Sequence, residues 1–426
     1  MRFYSTQDHG LRVTLEQAVL QSLPADGGLY LPERIPRLGE AFWSSFHHQS
    51  FSELGFHVAR SLLGDAVSPQ VLETVVNGSL DFDAPLVQLT ENEFILELFH
   101  GPTLAFKDFG ARFMARLMSH LRTDSEVTVL VATSGDTGAA VAAGYHRVQG
   151  MTVYILYPSG RVSPLQEKQL TTWGDNVIAL EVDGTFDDCQ SLVKAAFLDV
   201  DLQKKRTLTS ANSINLARLI PQSFYYFRAI QQLRSDDPTT IVVPSGNLGN
   251  VTAGLLAHRM GLPVSHFVAA QNQNDSLVQY LRTGHVPDRT AVRTHSNAMD
   301  VAQPSNLARV VDLFRDEKDG PEPLLTADSV DDEDTLDAMR RVYERHRVFL
   351  DPHTAVGWVA AERLNPVGGP KVVLATAHPA KFPEAVRIAT GRTPPMPERL
   401  AAFQRRTKKA RPMSAEYAEL RAILSG

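Results

Sequence analysis

Residues 241–250 read IVVPSGNLGN, a short apolar run followed by a loop rich in glycine and asparagine. The run Ile241–Val243 predicts a buried strand, and a helix is predicted behind the loop at Val251–Met260. Glycines let the backbone turn sharply and bring its N–H groups close to an anion, and a helix start adds partial positive charge. The loop therefore predicts a phosphate-binding turn, although a plain strand-to-helix connection has the same pattern. It matches neither the Walker sequence nor the GxGxxG fingerprint.

Further apolar runs on both sides of this loop alternate with helical patterns. Strands are predicted at Val127–Ala132, Val153–Leu156, Val177–Val182, Phe267–Ala270 and Val372–Ala375. Helices are predicted at Ala139–Val148, Ser163–Trp173, Phe186–Phe197 and Ile214–Leu233, the last with a kink favoured at Pro221. This alternation predicts a parallel sheet with helices on both faces, and continuous apolar strands fit burial on both faces. Ligands in such sheets bind at the carboxyl ends of the strands.

The two ends of the chain and one acidic segment have a different pattern. Residues 1–80 carry helical spacing at Leu15–Leu23 and Phe51–Leu63, which predicts a mostly helical region around an irregular connection at Pro24–Pro36. Residues 316–336 are acidic and are predicted to be an exposed insertion. The tail turns basic at Arg405–Arg411, which predicts a solvated helix face.

Composition limits the class of protein. The 426 residues carry a formal net charge of -6, which argues against a broad nucleic-acid-binding surface. Cys189 is the single cysteine, so a disulfide framework and a cysteine-based metal site are excluded, and no metal is expected. The first ten residues lack the apolar segment of a signal peptide, and no run is long enough to span a bilayer. We therefore expect a cytoplasmic protein that binds neither membrane nor nucleic acid.

A second loop, Thr133–Gly138 (TSGDTG), also lies between a predicted strand and a predicted helix. Its N–H groups and hydroxyls at a helix start suit a carboxylate ligand. The alternative is helix capping, because Ser134 and Thr137 are good capping residues.

The third motif places Lys107 among Phe106, Phe109 and Phe113. Burial disfavours the ammonium ion and lowers the pKa of a lysine, and a neutral amine can form a Schiff base. The alternative is a surface lysine paired with Asp108. A fourth motif, Thr376–Phe382, follows the last predicted strand and places Thr376 over the sheet edge, whereas its histidine, His378, is interpreted as structural.

In their order and context these motifs resemble threonine synthases, and the resemblance covers nearly the whole chain. It includes Tyr4 and the segments Asp26–Leu31, His100–Met114, Ala132–Ala140, Ile155–Gln169, Ser210–Leu216, Pro244–Asn250, Ser296–Val301 and Thr376–Phe382. It implies an α/β fold with two parallel-sheet lobes of the tryptophan-synthase-β type and a mostly helical N-terminal region. The expected divisions are residues 1–85, a catalytic domain at 86–392 with a smaller lobe at about 100–225, and a tail at 393–426.

The resemblance also implies roles for individual residues. Lys107 is expected to bind pyridoxal 5'-phosphate covalently and to act as the catalytic residue. The cofactor is further expected to contact Gly246, Asn247, Leu248, Gly249 and Asn250 through its phosphate, Thr376 through its pyridine nitrogen, and Asp136 at its ring edge. The substrate is expected to contact Ser134, Gly135 and Thr137 through its carboxylate, and Arg161, Ser163, Asn212, Ser213 and Lys381 through its phosphate.

The implied reaction is conversion of O-phospho-L-homoserine and water to L-threonine and phosphate, by a monomer or weak homodimer. Two rivals stay open. One is a lyase that degrades phosphohomoserine, or a β-replacing enzyme on the same fold. The other is a binding protein that has kept the fold without catalysis. Product analysis separates the first rival, and the colour of a bound cofactor separates the second.

Overall fold

The computed structural model describes residues 1–122, 126–317, 320–321, 323–364 and 366–426. Its N-terminal region contains helices α1–α4 at Leu15–Gln21, Glu40–Ser45, Phe51–Leu63 and Pro69–Ser79. It also contains three short strands, β1 (Phe3–Ser5), β2 (Arg12–Val13) and β3 (Tyr30–Pro32), which form an antiparallel sheet. The prediction of an irregular connection at Pro24–Pro36 is therefore wrong at β3, where the buried Tyr30 and Leu31 pair with β1.

Eleven further strands are found in the described part of the chain. They are β4 (Leu86–Gln88), β5 (Glu93–Glu97), β6 (Val127–Ala132), β7 (Met151–Pro158), β8 (Val177–Asp183), β9 (Thr207–Ser210), β10 (Thr240–Pro244), β11 (His266–Gln271), β12 (Leu325–Ser329), β13 (Lys371–Ala375) and β14 (Ala410–Ser414). Every strand predicted from an apolar run is present, with bounds shifted by at most two residues. The apolar runs located these strands because both faces of each are covered.

The remaining helices cover the sheets or join the strands. They are α5 (Lys107–Leu121), α6 (Asp136–Tyr145), α7 (Pro164–Thr171), α8 (Phe186–Leu198), α9 (Val200–Lys205), α10 (Leu216–Leu219), α11 (Phe224–Leu233), α12 (Gly249–Arg259), α13 (Ser276–Thr283), α14 (Leu307–Leu313), α15 (Asp332–His346), α16 (Pro352–Arg363), α17 (Pro383–Thr390), α18 (Glu398–Gln404) and α19 (Tyr417–Ser425). A 3₁₀ turn containing Pro221 separates α10 from α11, as the proline predicts. Within the described ranges, none of these helices has the length and apolar character to cross a membrane.

Two parallel sheets form the two lobes. The larger sheet has the strand order β12-β11-β10-β13-β5-β4, with only β4 antiparallel. The smaller has the order β14-β8-β7-β6-β9 and is parallel throughout. The predicted two-lobe α/β fold with a helical N-terminal region is confirmed. The domain boundaries at residues 85 and 392 stay predictions.

The acidic segment at residues 316–336 is an exposed insertion only in part. Asp316 and Glu317 are exposed, as predicted, and residues 318, 319 and 322 lie outside the described residues. The prediction is wrong for residues 325–336, because β12 pairs with β11 at the edge of the larger sheet and the side chain of Leu325 is fully buried. Asp332 and Asp334 lie in the first turn of α15, where carboxylates are stabilised by the helix dipole. The acidic residues after β12 therefore mark the start of a helix.

The basic run at Arg405–Arg411 is not a helix face either. Helix α18 ends at Gln404, and β14 begins at Ala410 and pairs with β8. The Lys408 ammonium lies 2.7 Å from carboxylates of both Glu167 and Glu181. Two acidic partners in the smaller lobe, distant in sequence, thus hold this segment beside the sheet.

Candidate active site

One cavity of about 430 Å³ lies at the carboxyl ends of strands β6, β10 and β13. Its wall contains the loops that follow these strands, namely residues 133–134 and 136–137, 245–250 and 376–377, together with Lys107. The predicted substrate contact Gly135 is not on this wall. The strands belong to different sheets, so both lobes contribute to the wall. The topology therefore brings the four sequence motifs to one place, as expected for a parallel α/β fold.

The loop at residues 245–250 is held rigidly by side chains from outside it. The Asn247 amide donates to Ser213 Oγ at 2.6 Å, and its Oδ1 accepts from the Ser305 N–H at 2.6 Å. The Asn306 amide donates to the Asn247 carbonyl at 3.0 Å. Leu248 has a left-handed conformation, with φ 60°, and leads into α12 at Gly249. The first N–H groups of α12 have no helical acceptor and are available to an anion.

Two observations show that this turn fits a bound phosphate group. A Cβ atom at Gly246 would lie 2.7 Å from Met299 Cα, so only glycine allows the backbone this close to residues 298–299. Asn250 Oδ1 accepts hydrogen bonds from the hydroxyls of Tyr225 and Tyr226, whereas its Nδ2 is buried and has no partner among the described residues. A buried donor without an acceptor is costly, and an anion in the cavity would supply the acceptor.

Gly246→Ala is expected to weaken cofactor binding by roughly 10- to 100-fold, because overpacking costs about 1–3 kcal/mol and Met299 Cα is backbone that cannot rotate away. The measurement is the dissociation constant for pyridoxal phosphate, from absorbance titration of the apo-protein. Gly39→Ala is the matched control, since a Cβ there meets nothing within 4 Å. Equal affinity in the two variants would show that the turn does not bind the phosphate.

Lys107 is the first residue of α5, and its side chain reaches the cavity. Its ammonium nitrogen lies 5.6 Å from the Phe106 ring centroid, and no carboxylate of the described residues lies within 4.0 Å of it. Burial lowers the pKa of Lys107 to about 8, with the nearby Lys381 and Arg218 charges acting in the same direction and Asp136 opposing them. A substantial neutral fraction near pH 8 suits an amine that attacks a carbonyl.

The alternative of a surface Lys107–Asp108 pair is wrong. Asp108 is fully buried, and its carboxylate accepts from the Thr103 N–H at 2.8 Å and the Thr103 hydroxyl at 2.7 Å. Burial raises the pKa of Asp108 to about 6, although the Thr103 hydrogen bonds oppose the rise. Asp108 therefore shapes the loop before α5 and leaves the Lys107 amine free.

Backbone hydrogen bonds join the lysine motif to the Thr376 motif. The Phe106 N–H donates to the Thr376 carbonyl at 2.9 Å, and the His378 N–H donates to the Leu104 carbonyl at 3.1 Å. Thr376 lines the cavity and is otherwise buried. His378 Nδ1 accepts from the Ala380 N–H at 3.1 Å and caps a short turn, in agreement with its structural interpretation.

The loop before α6 places Ser134, Asp136 and Thr137 on the cavity wall. Gly135 is the residue before the helix, and neither Ser134 nor Thr137 caps α6, so the capping role considered for these two residues is wrong. The Thr133 hydroxyl instead accepts from the Gly138 N–H, in the first turn of α6, at 2.8 Å. Gly135 has φ 144°, and a Cβ there would lie 2.8 Å from the Gln166 amide. The glycine therefore sets the turn, and its neighbours face the cavity.

Comparison with known proteins identifies the family. A family model of pyridoxal-phosphate dependent enzymes matches residues 82–377, and models of the threonine synthase N terminus and C-terminal part match residues 2–80 and 354–424. The threonine synthases of Escherichia coli (strain K12) and Serratia marcescens are 42% and 41% identical, over 100% of this chain and 99% of each relative. The chain belongs to the threonine synthase family.

Solved structures agree with this assignment. The crystal structure of threonine synthase from Escherichia coli has a TM-score of 0.94 at 42% identity and covers 100% of this chain and 99% of that one. The pyridoxal-phosphate-bound threonine synthase from Brucella melitensis has a TM-score of 0.94 at 35% identity, with coverage of 100% and 98%. Like the family, the chain uses pyridoxal phosphate, and Lys107 and the turn at residues 246–250 fit that cofactor.

Of the five predicted phosphate contacts in this member of the threonine synthase family, only Asn212 and Ser213 line the cavity. Arg161 is exposed to solvent, and Ser163 caps the start of α7 through the Gln166 N–H. The Lys381 side chain is completely buried and bound to Asp136. Arg161, Ser163 and Lys381 therefore lie outside the cavity wall. Each contacts either solvent or another residue of the protein.

The sequence analysis missed several residues of the cavity wall, and Arg218 and His353 are the two most relevant to its chemistry. Arg218 is 3% exposed, donates to the Ala211 carbonyl, and has an Nε without a partner in the described chain. Burial lowers its pKa to about 10, so it stays cationic at neutral pH. His353 also lines the cavity, accepting from the Ala298 N–H at 3.2 Å and bonding to Asp351 at 2.7 Å. The sequence could have indicated Arg218, because this residue lies two positions beyond Ser210–Leu216, a segment that resembles the family.

A buried arginine, Arg309, fixes the loop that carries Asn212 and Ser213. Its guanidinium donates to the carbonyls of Tyr30 at 3.1 Å, Ser213 at 3.2 Å and Ile214 at 2.6 Å. It also donates to Asn306 Oδ1 at 2.7 Å, and the Asn306 amide reaches the Asn247 carbonyl. Arg309 therefore joins the N-terminal region, the Ser213 loop and the anion-binding turn into one hydrogen-bonded unit.

Proposed function

We propose that the chain converts O-phospho-L-homoserine and water to L-threonine and inorganic phosphate. The observation that supports this most is one cavity that brings the reactive amine together with two groups of polar residues. The first is the turn at residues 246–250, which fits the cofactor phosphate. The second consists of Asn212, Ser213 and Arg218. Because the Ser213 hydroxyl accepts from Asn247 and the Asn212 amide donates to the Ala132 carbonyl, Arg218 is the donor of this group best suited to a phosphate on the substrate.

The rest of the cavity wall suits an amino-acid substrate. Ser134, before the start of α6, and Thr137, in its first turn, line the cavity, and their hydroxyls together with the helix N-terminus suit the α-carboxylate. Asn212 and Ser213 lie on the loop after β9, Arg218 lies in α10 behind that loop, and the α6 turn follows β6, which pairs with β9. A substrate with a carboxylate at one end and a phosphate at the other can therefore bind both sets on neighbouring strands.

Pyridoxal phosphate, when bound, supplies an electron sink for carbanion chemistry at the amino acid. Lys107 has a pKa near the working pH, so its amine can take a proton from the substrate carbon and return one. In the net reaction the Cγ–O bond breaks and phosphate leaves with the bonding electrons. Cβ loses one hydrogen as a proton and bonds to the oxygen of one water. Cγ gains the proton that makes it a methyl group, and the remaining proton of the water goes to the phosphate. Arg218 stays cationic and stabilises the departing phosphate.

Incubation of the pure protein with O-phospho-L-homoserine, followed by parallel assays, tests this function. Equal amounts of threonine and phosphate are the expected products. Formation of 2-oxobutanoate and ammonia would identify the degrading rival instead. The cytoplasmic location and the monomer or weak homodimer stay predictions, and size-exclusion chromatography with light scattering measures the second.

A further inference from the structure

A buried ion pair connects the two lobes beside the cofactor site. Lys381 Nζ lies 2.6 Å from Asp136 Oδ1, and the two side chains are 0% and 4% exposed. Lys381 follows β13 of the larger sheet, whereas Asp136 begins α6 of the smaller lobe. The Lys381 ammonium also donates to the Thr103 carbonyl at 2.9 Å, in the loop that leads to Lys107. The pair therefore contacts all three segments that surround the reactive amine.

The two oxygens of the Asp136 carboxylate have different surroundings. Oδ1 accepts from Lys381 and, at 3.0 Å, from the Gln166 amide. Both of these contacts are to Oδ1, none to Oδ2 is found among the described residues, and Asp136 lines the cavity. The ion pair thus holds one oxygen in the protein interior and leaves the other for a ligand. A buried carboxylate needs such a partner, since an unpaired buried charge is strongly destabilising.

The charges in this cluster act on one another. Burial alone would raise the pKa of Asp136, but Lys381, Lys107 and the hydrogen bonds from Lys381 and Gln166 outweigh it and keep the pKa well below its usual range. Asp136 favours the protonated form of Lys107, and Lys381 opposes that effect. Lys381 therefore offsets part of the negative field that would otherwise keep the Lys107 amine protonated.

We propose that Lys381 is a positioning residue, which orients the Asp136 carboxylate toward the bound cofactor and balances its charge so that Lys107 can react. This assigns Lys381 a role different from the predicted contact with the substrate phosphate. The inference rests on the cofactor-dependent function proposed above, but it does not depend on which amino acid is the substrate.

The test compares Lys381→Met, Asp136→Asn and the double variant with the unchanged protein. The measurement is the rate at which apo-protein captures pyridoxal phosphate, followed by absorbance across pH, together with denaturant unfolding of the apo-protein. In Lys381→Met, the attraction of Asp136 for the Lys107 proton is unopposed, so the pH midpoint of capture rises by about one unit, a tenfold change in neutral amine at fixed pH. In Asp136→Asn the pH midpoint falls, because the positive charges of Lys381 and Arg218 then lower the pKa of Lys107 without an opposing carboxylate. The neighbouring carboxylate of Asp108 accepts hydrogen bonds from Thr103 instead.

The double variant removes both charges, so its midpoint returns toward that of the unchanged protein, and its stability loss is smaller than the sum of the single losses. Lys204→Met is the matched control, because Lys204 and Asp201 form an exposed pair at 3.3 Å. An unchanged midpoint in Lys381→Met would overturn the proposal, even if stability falls. If Lys381→Met does not fold, the double variant is compared with Asp136→Asn, since these two proteins differ only at Lys381. Equal pH midpoints of cofactor capture in the two would overturn the proposal.

Threonine formation by the unchanged protein is scored separately, so failure of the proposed reaction is distinguishable from failure of this inference. If the unchanged protein forms no threonine but the two single variants shift the pH midpoint in opposite directions, the proposed role of the ion pair stands and the proposed substrate is wrong. If the unchanged protein forms threonine but the midpoints do not shift, the proposed reaction stands and the proposed role of Lys381 is wrong.

Discussion

Lys107→Ala lowers threonine formation by at least roughly 10³-fold, the order of magnitude associated with loss of a positioned acid–base group. The covalent bond to the cofactor is lost at the same time. Among the described residues, Lys107 is the one lysine on the cavity wall, and the nearby Lys381 is held by Asp136 and the Thr103 carbonyl. The measurement is turnover together with the absorbance of the cofactor–lysine bond, which should disappear. Retained threonine production would exclude Lys107 as the catalytic residue.

The control is Lys204→Ala, which removes an exposed lysine and should leave both readouts unchanged. A pH series on the unchanged apo-protein adds a second check. Because burial lowers the Lys107 pKa to about 8, its neutral fraction, and with it the rate of cofactor capture, should rise with pH, reach half its maximum near pH 8 and level off above roughly pH 9. A rise that continues to pH 10 would indicate an ordinary solvent-exposed lysine. A protein that never becomes coloured with cofactor would favour the non-catalytic rival.

Arg218→Met lowers kcat/KM for O-phospho-L-homoserine by about 10²-fold, since losing a buried charged partner of a phosphate costs about 2–5 kcal/mol. Arg218 is cationic and faces the cavity, and one of its nitrogens lacks a partner among the described residues. Methionine keeps much of the side-chain volume against Gly110, where a Cβ would lie 2.8 Å from Arg218 Nε. The measurement is steady-state kinetics. Inorganic phosphate is added as a competing ligand, and it should inhibit the variant more weakly than the unchanged protein.

Arg161→Met is the matched control, because Arg161 is exposed and lies outside the cavity wall. If Arg161→Met causes the large loss and Arg218→Met does not, the sequence-based assignment of the phosphate contact is right and the assignment from the structure is wrong. Cofactor affinity and thermal stability of Arg218→Met are measured in parallel. A loss confined to those two properties would show that Arg218 only supports the fold.

Local sequence determined much of the fold, because its signals need no distant partner. The buried strands β6 and β10 follow from continuous apolar runs, and the loops behind them follow from their glycines. Prediction from the sequence failed for short strands that are stabilised by pairing with a strand distant in the chain. β12 and β14 lie in charged segments, and each is stabilised by pairing with one neighbouring strand, β11 or β8.

The sequence by itself determined the parallel α/β fold, since its strands and helices follow from residues close together in the chain, and its resemblance to threonine synthases predicted the two lobes, the role of Lys107 and the turn for the cofactor phosphate. Only the tertiary structure decided which polar side chains face the cavity. Lys381 and Asp136 are 245 positions apart, yet their 2.6 Å contact withdraws Lys381 from the substrate. Arg218 faces the cavity from within an apolar helical segment. A charged group is free for a ligand only when the fold gives it no other partner, and that depends on contacts between distant residues.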